Sequence, residues 1–197
     1  IDGRHILTSG SSWWGGNLSS VRVYSAQTLS PCGPLLGNST IITDAAFAPD
    51  DAIVVTADID KKLRFWNWRT GRQVREPISL PLEVRSVEFD PTGRTLAIAC
   101  TAGRMQVRDA LDSRLLRELQ HGRTRGPVRS RRDANWCVDP EGLGRHGREV
   151  GPKVRYLTFS RDGKTLISHG FDESAIAWDL TDFSMRYPPL FSGNHVI

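Results

Sequence analysis

Apolar residues in this chain fall in short runs broken by turn residues. No long window returns them every three or four positions between helix caps, so long helices are not expected. Ala52–Ala57 (Ala-Ile-Val-Val-Thr-Ala) is a β-branched run bounded by Pro49, Asp50 and Asp51. Leu63–Trp68 sets apolar Leu63 and Phe65 against polar Arg64 and Asn67, and Thr70-Gly71 then turns the chain. The same texture returns at Arg94–Cys100 with Met105–Val107, and at Lys164–Ser168 with Ala175–Trp178. Short strands at regular spacing with turn signals predict an all-β architecture.

The runs are copies of one unit. Phe47 opens Phe-Ala-Pro-Asp-Asp, Phe89 opens Phe-Asp-Pro-Thr-Gly and Phe159 opens Phe-Ser-Arg-Asp-Gly, at separations of 42 and 70 residues. A second landmark at Tyr24, Trp66, Arg108 and Trp178 keeps intervals of 42, 42 and 70. Two anchors thus agree on a period of 42 with one 28-residue insertion. Internal periods of about 20–50 residues mark solenoids, propellers or arrays.

With these residues in place the chain resembles a WD40-repeat β-propeller. Units of that family run through Gly-His, Phe-Ser-Pro-Asp-Gly, a Ser/Thr-bearing second strand, an Asp before the third strand and a closing Trp-Asp. The fourth unit fits best, with Phe159-Ser160-Arg161-Asp162-Gly163, Ser168, Asp172 and Trp178-Asp179. The second carries Phe47, Pro49-Asp50, Thr56, Asp60 and Trp66, with Gly37-Asn38 in place of Gly-His and Asn67 in place of Asp. The third ends in Arg108-Asp109 and has no Asp at its inter-strand turn, and the first ends in Tyr24-Ser25. The resemblance implies a polar network across each blade that holds its strands in register. By position it would be Asn38, Thr56, Asp60 and Trp66 in the second unit, and Ser168, Asp172 and Trp178, without a histidine, in the fourth. Such networks stabilise only when every member is satisfied, so the substitutions imply weaker blades. Asp60 and Asp172 are read as structural, not as catalytic acids.

The units divide the chain into blades over 1–38 (partial), 39–80, 81–121 and 151–192, with an insertion over 122–150 and the start of another blade at 193–197. Without its insertions the chain holds roughly four periods, whereas propellers have about 4–8 blades. The expectation is therefore about four four-stranded blades forming a segment of a longer, seven-blade-like ring, completed by remaining blades of a full-length chain. A closed ring of four is the alternative.

Composition changes this picture little. With 39% hydrophobic and 24% charged residues the chain suits a globular domain, and no apolar run approaches the ~18–20 residues of a membrane span. No charged-then-apolar leader opens the sequence. Three cysteines (Cys32, Cys100, Cys137) without close pairing fit a reducing cytoplasm, with Cys100 a small apolar strand residue.

Candidate chemistry concentrates in two loops. A six-residue excess near Ser11–Gly16 contains Trp13 and Trp14 beside two glycines, an aromatic pair of the kind enriched at binding hot spots. The 122–150 insertion contains Arg129, Arg131, Arg132 and Trp136 among seven arginines against four acidic residues. Guanidinium groups pair bidentately with carboxylate and phosphate, which points to an acidic or phosphorylated protein partner. Both loops are expected on one face, where insertions of repeat proteins often mark binding. No nucleic-acid motif accompanies the basic loop, which argues against nucleic acid. His121, Cys137 and His146 match no zinc spacing, so no metal is expected, and no cofactor is implied.

Motifs for phosphate cradles, nucleophile elbows, zinc proteases and kinases are absent from the sequence. The reading is a non-catalytic protein–protein interaction scaffold. Four lysines against 22 arginines suit a high-GC bacterial source, where such repeats often adjoin signalling domains. The alternatives are an enzyme whose propeller site is completed by missing blades, and nucleic-acid binding through the 122–150 loop.

Overall fold

The strands gather into four separate sheets, and all strand pairs are antiparallel. The computed structural model describes residues 3–10, 19–38, 40–122, 154–171 and 174–191. The first sheet is β1 (His5–Gly10), β2 (Ser19–Ser25) and β3 (Pro31–Asn38). The second is β4 (Ile42–Phe47), β5 (Ile53–Asp58) and β6 (Lys62–Asn67), edged by two short pieces, β7 (Arg72–Gln73) and β8 (Ile78–Ser79), that both pair with β6. The third is β9 (Val84–Phe89), β10 (Thr95–Cys100), β11 (Arg104–Asp109) and β12 (Leu115–Gln120). The fourth is β13 (Val154–Phe159), β14 (Thr165–Gly170), β15 (Ser174–Asp179) and β16 (Leu190–Phe191). Among the described residues there is no α-helix, only a 3-10 turn at Thr101–Gly103.

The four-stranded expectation is met by the last two sheets and modified in the first two. Among the described residues the first sheet has three strands, its β1 standing where β5 stands in the second. In the second sheet Pro77 falls between β7 and β8; lacking an N–H, it cannot carry the outer ladder through. Each innermost strand bulges at one repeated place, between Ile42 and Asp44, Val84 and Ser86, and Val154 and Tyr156. A bulge repeated in three copies belongs to the design of the unit.

Strand alternation gives every sheet a rear face, toward the preceding sheet, and a forward face. Val54 and Trp66 look back and pack with Val21, Val23 and Leu36 of the first sheet. Val55, Ala57, Leu63 and Phe65 look forward onto Val84, Val87, Leu96 and Ile98 of the third. Ala97, Ala99, Met105 and Val107 of the third meet Leu157, Leu166, Ile176 and Trp178 of the fourth. Fully burying a Leu or Phe contributes about 1.5–3 kcal/mol, so each junction is a core in its own right. Along the inner edge β4 lies beside β9 and β9 beside β13, the radial stacking of a propeller. Among the described residues no buried cluster joins the fourth sheet to the first.

The turn after each innermost strand requires a left-handed residue. Gly93 (φ 72°) and Gly163 (φ 68°) supply it in the third and fourth sheets, and Asp51 (φ 54°) in the second. An aspartate tolerates that region less well than glycine but brings a side chain. Its carbonyl accepts hydrogen bonds from Trp68 Nε1 (2.8 Å) and Arg69 Nη1 (2.7 Å), and its carboxylate meets Arg69 Nη2 (3.1 Å) and His5 Nδ1 (2.9 Å). His5 also stacks obliquely on Trp68, their centroids 4.9 Å apart. Asp51 therefore ties the first sheet to the second.

Candidate functional site

Backbone hydrogen bonds define one rim of the stack. The turn between second and third strands bonds to the segment that links neighbouring sheets: Ile59 N to Ile41 O (3.0 Å), Leu80 N to Lys61 O (2.8 Å), Thr101 N to Glu83 O (2.9 Å) and His121 N to Gly103 O (2.8 Å). The stems of both enlarged loops, Gly10 and Ser19 for one and Gly122 and Val154 for the other, occupy these two kinds of connection. The predicted partner contacts Trp13, Trp14, Arg129, Arg131, Arg132 and Trp136 lie outside the described residues, as does Asp172.

The blade networks are held by register. In the second sheet Trp66 Nε1 donates to Thr56 Oγ1 at 3.0 Å, both on the rear face. Asn38 pairs through its backbone with Ser19. Asp60, expected as this network's carboxylate, is exposed on the turn. The buried carboxylate is Asp58, which receives the Arg64 guanidinium and accepts from Lys62 N at 3.1 Å. Register explains the exchange: Arg64 stands directly opposite Thr56, and Asp58 follows Thr56 by two on the same face.

The fourth sheet does not lack a histidine. His121, wholly buried, lies with Nδ1 2.8 Å from Ser168 Oγ and Nε2 3.0 Å from Ser174 Oγ, and Trp178 Nε1 donates to Ser168 Oγ at 2.9 Å. The insertion places His121 47 residues before Ser168, which hides the match in the sequence. A serine beside a histidine evokes a nucleophile and its base. Here, however, the hydroxyl already accepts the indole N–H and neither residue reaches solvent. A nucleophile must be accessible with its base free to take the proton, so this group is a strut.

The third sheet replaces the motif altogether. Ile98 sits where the others have Thr56 and Ser168, and Arg108 where they have tryptophan. Arg108 Nε donates to Gln106 Oε1 (2.9 Å), its Nη1 to Ser113 O (2.7 Å), and Gln106 Nε2 to Glu118 Oε1 (3.0 Å). The first sheet has Thr8 and Tyr24 at these places, with Thr8 Oγ1 donating to Arg22 O at 3.3 Å.

A cleft of about 550 Å³ opens where the innermost strands converge, lined by Leu7, Asp44, Ser86, Glu88, Phe89 and Phe159 among others. Sequence reasoning did not single out its two carboxylates, since each is the lone acid of its strand. Asp44 Oδ2 accepts from Val87 N (2.8 Å) in the next sheet and Oδ1 from Ala45 N (2.9 Å). Glu88 accepts from the Phe159 amide and the Thr158 hydroxyl, again one sheet on. Burial pushes the Glu88 carboxyl up to about 7, opposed by the Phe159 amide and reinforced by the neighbouring Asp44 charge. Asp44 is likewise raised by burial, against its amide bonds from Val87 and Ala45. Both acids act as staples between sheets.

Among the described residues no group of His, Cys, Asp or Glu is placed to hold a metal, and no helix is long and apolar enough to cross a membrane. Burial pushes the Cys100 thiol up to about 11, consistent with a core residue.

The model of the WD domain, G-beta repeat, matches residues 27–67, which run from before β3 through β6. Transducin beta-like protein 3 of Rattus norvegicus is 28% identical over 176 residues, covering 76% of this chain and 21% of that protein. Periodic tryptophan protein 2 homolog of Neurospora crassa is 25% identical over 169 residues, 82% of this chain and 17% of its own length. Periodic tryptophan protein 2 of Saccharomyces cerevisiae is 24% identical over 161 residues, 81% of this chain and 16% of its own. The chain thus spans about a fifth of the length of these relatives. Repeat period, stacked antiparallel sheets, the tryptophan-to-hydroxyl struts and these matches agree: the chain carries a WD domain, G-beta repeat match at residues 27–67 and has an all-β fold consistent with a segment of a WD40 propeller.

Proposed function

We propose that this chain is a non-catalytic scaffold for protein–protein contact, presenting its two enlarged loops from one rim. The observation that carries the reading is that rim. Sheet-linking segments and second-to-third-strand turns are bonded to each other at four successive places, so the described connections on that rim keep fixed mutual positions. A partner can then engage several loops at once, and pre-organisation lowers the cost of binding. The similarity to WD-repeat proteins supports the same reading. The contacts are assigned to Trp13 and Trp14 in the shorter loop and to Arg129, Arg131, Arg132 and Trp136 in the longer. An acidic or phosphorylated segment is the matching chemistry, because forked guanidinium donors pair with two oxygens at once. The arginine-rich, lysine-poor usage supports a bacterial source, and the unpaired spacing of the cysteines supports a reducing cytoplasmic setting.

The test is affinity capture with the 197-residue chain as bait, alongside two variants. One carries Trp13→Ala with Trp14→Ala; the other carries Arg129→Glu, Arg131→Glu and Arg132→Glu. A partner retained by the parent and lost by both variants, at unchanged melting temperature, supports the scaffold. A partner retained by both removes the loops from the interface.

A further inference from the structure

The bulge in each innermost strand leaves one residue out of the ladder. It is Thr43 between Ile42 and Asp44, Arg85 between Val84 and Ser86, and Arg155 between Val154 and Tyr156. A bulge re-aims a side chain that regular pairing would direct onto a sheet face. Nothing in the bulge itself requires an arginine, since in the second sheet the place holds Thr43, whose hydroxyl is buried. In the third and fourth sheets it holds two guanidinium groups, on strands that lie side by side. Both groups stand at the rim that carries the sheet-linking segments. Arg85 Nη2 lies 3.4 Å from Glu83 Oε2, and the Glu83 carbonyl accepts the rim bond from Thr101 N. The Arg155 guanidinium is 5.1 Å from the ring centroid of Tyr156 and 5.3 Å from that of Phe171, in the turn between β14 and β15.

Neither arginine is committed to holding the fold together. The Arg85 and Glu83 side chains are 39% and 45% exposed, and an ion pair that open contributes little. The third sheet has a neighbour on each side, so Arg85 shows that this place stays open to solvent when a following sheet is present. Among the described residues Arg155 forms no ion pair. Its contacts are the two rings, which hold a guanidinium by its face and leave the N–H fork at its edge. Asp44, which follows the bulge of the second sheet, has its two oxygens on the Val87 and Ala45 amides and does not neutralise the pair.

We propose that Arg85 and Arg155 form an anion site on this rim, which takes the phosphate of a phosphorylated segment of the partner. The proposal rests on the scaffold reading and deepens it, adding to the loop contacts a charged contact built on paired strands. Two guanidinium forks offer more donors than one carboxylate has oxygens to accept them. A phosphate ester presents three terminal oxygens and close to two negative charges, so both forks can engage it at once. Because the arginines project from strands already fixed by their ladders, binding orders side chains but no backbone, which lowers its cost.

NMR titration of the 197-residue protein, labelled with nitrogen-15 arginine, tests this. The probe is the capped tripeptide acetyl-Gly-phosphoserine-Gly-amide, with serine and glutamate versions as controls. The side-chain Nε–H resonances of Arg85 and Arg155 should shift together and saturate in the millimolar range. The serine peptide should leave them in place, and the glutamate peptide should bind more weakly. Arg85→Gln and Arg155→Gln should each weaken binding by about 10–100-fold, the loss expected when hydrogen bonds to a charged group are removed. The shifts in the parent need no substitution, so they decide the matter even should a variant lose its native circular dichroism. Shifts at neither residue overturn the proposal, as do shifts confined to Arg129, Arg131 and Arg132. An equal response to the glutamate peptide also overturns it, since the site would then not select phosphate. The probe contains no partner protein, so failure here leaves the capture experiment standing. A captured partner that survives both loop variants, with these shifts intact, would count against the loops and not against this site.

Discussion

At the scale of single residues, burial and partner geometry decide what the polar side chains do. His121 is the clearest case, since its ring bridges two serines across the junction of the third and fourth sheets. His121→Ala should leave a cavity and deprive two buried hydroxyls of a partner. The expected loss is about 2–4 kcal/mol in urea unfolding, combining the cavity cost with that of unmet hydrogen bonds. A loss below about 0.5 kcal/mol, the size of an ordinary surface substitution, would show that the ring carries no load. Glu88 makes a different prediction. Its folded value, near 7 against an ordinary 4.5, means the folded protein binds the proton more tightly. Its contribution is fully present below pH 4.5 and is lost as pH rises through 7, so stability falls across that window. The turn carboxylates Asp109, Asp162, Asp179 and Asp182 are held low by local hydrogen bonds, so they lose their contribution only as pH falls into the acid range, outside that window. Melting temperature should therefore drop between pH 5.5 and 8. Glu88→Gln, which keeps an acceptor for the Phe159 amide, should flatten the slope and melt higher than the parent at pH 8. A parent profile that rises over the same interval contradicts the assignment.

At the scale of the sheet, the same unit is secured in three chemically distinct ways. The second uses Trp66 with Thr56 and a buried Asp58–Arg64 pair, the third an arginine–glutamine–glutamate ladder, and the fourth a histidine strut. Groups within one network should couple and those in different sheets should not. In a double-mutant cycle His121→Ala and Trp178→Phe share Ser168, and an interaction energy of about 0.5–3 kcal/mol is expected. The cycle of His121→Ala with Trp66→Phe should be additive within about 0.5 kcal/mol. Equal coupling in both cycles would mean the networks are not confined to their sheets. This is also the scale at which the sequence was most and least legible. Phe47, Phe89 and Phe159 with Trp66 and Trp178 exposed the repeat because each recurs on a strand of constant length. Asp60 misled because spacing along the chain cannot tell an exposed turn from a buried strand end, whereas Asp58 lies on the face of Thr56 and Arg64. His121 was invisible because its partner sheet follows an insertion. Asp44 and Glu88 were missed because their partners are backbone amides of another sheet, which leave no trace in composition.

At the scale of the whole molecule, a row of sheets that touch only their neighbours should not be equally stable throughout. In such arrays stability is close to a sum of unit and nearest-neighbour terms. Among the described residues the second and third sheets are covered on both faces, while the first and fourth are covered on one. Under conditions that keep the chain monomeric, native-state hydrogen exchange should find the strongest amide protection in β5 and β10. Protection should be weaker in β1 and β14, whose outer faces meet solvent, because local opening there exposes one core instead of two. Leu63→Ala tests the same logic from inside, since it hollows the core between the second and third sheets, at an expected cost of about 2–5 kcal/mol. It should lower protection in both middle sheets together while moving β14 least. Were all four sheets to exchange at one common rate, opening would be all-or-none, and the chain would behave as a single cooperative body and not as a row.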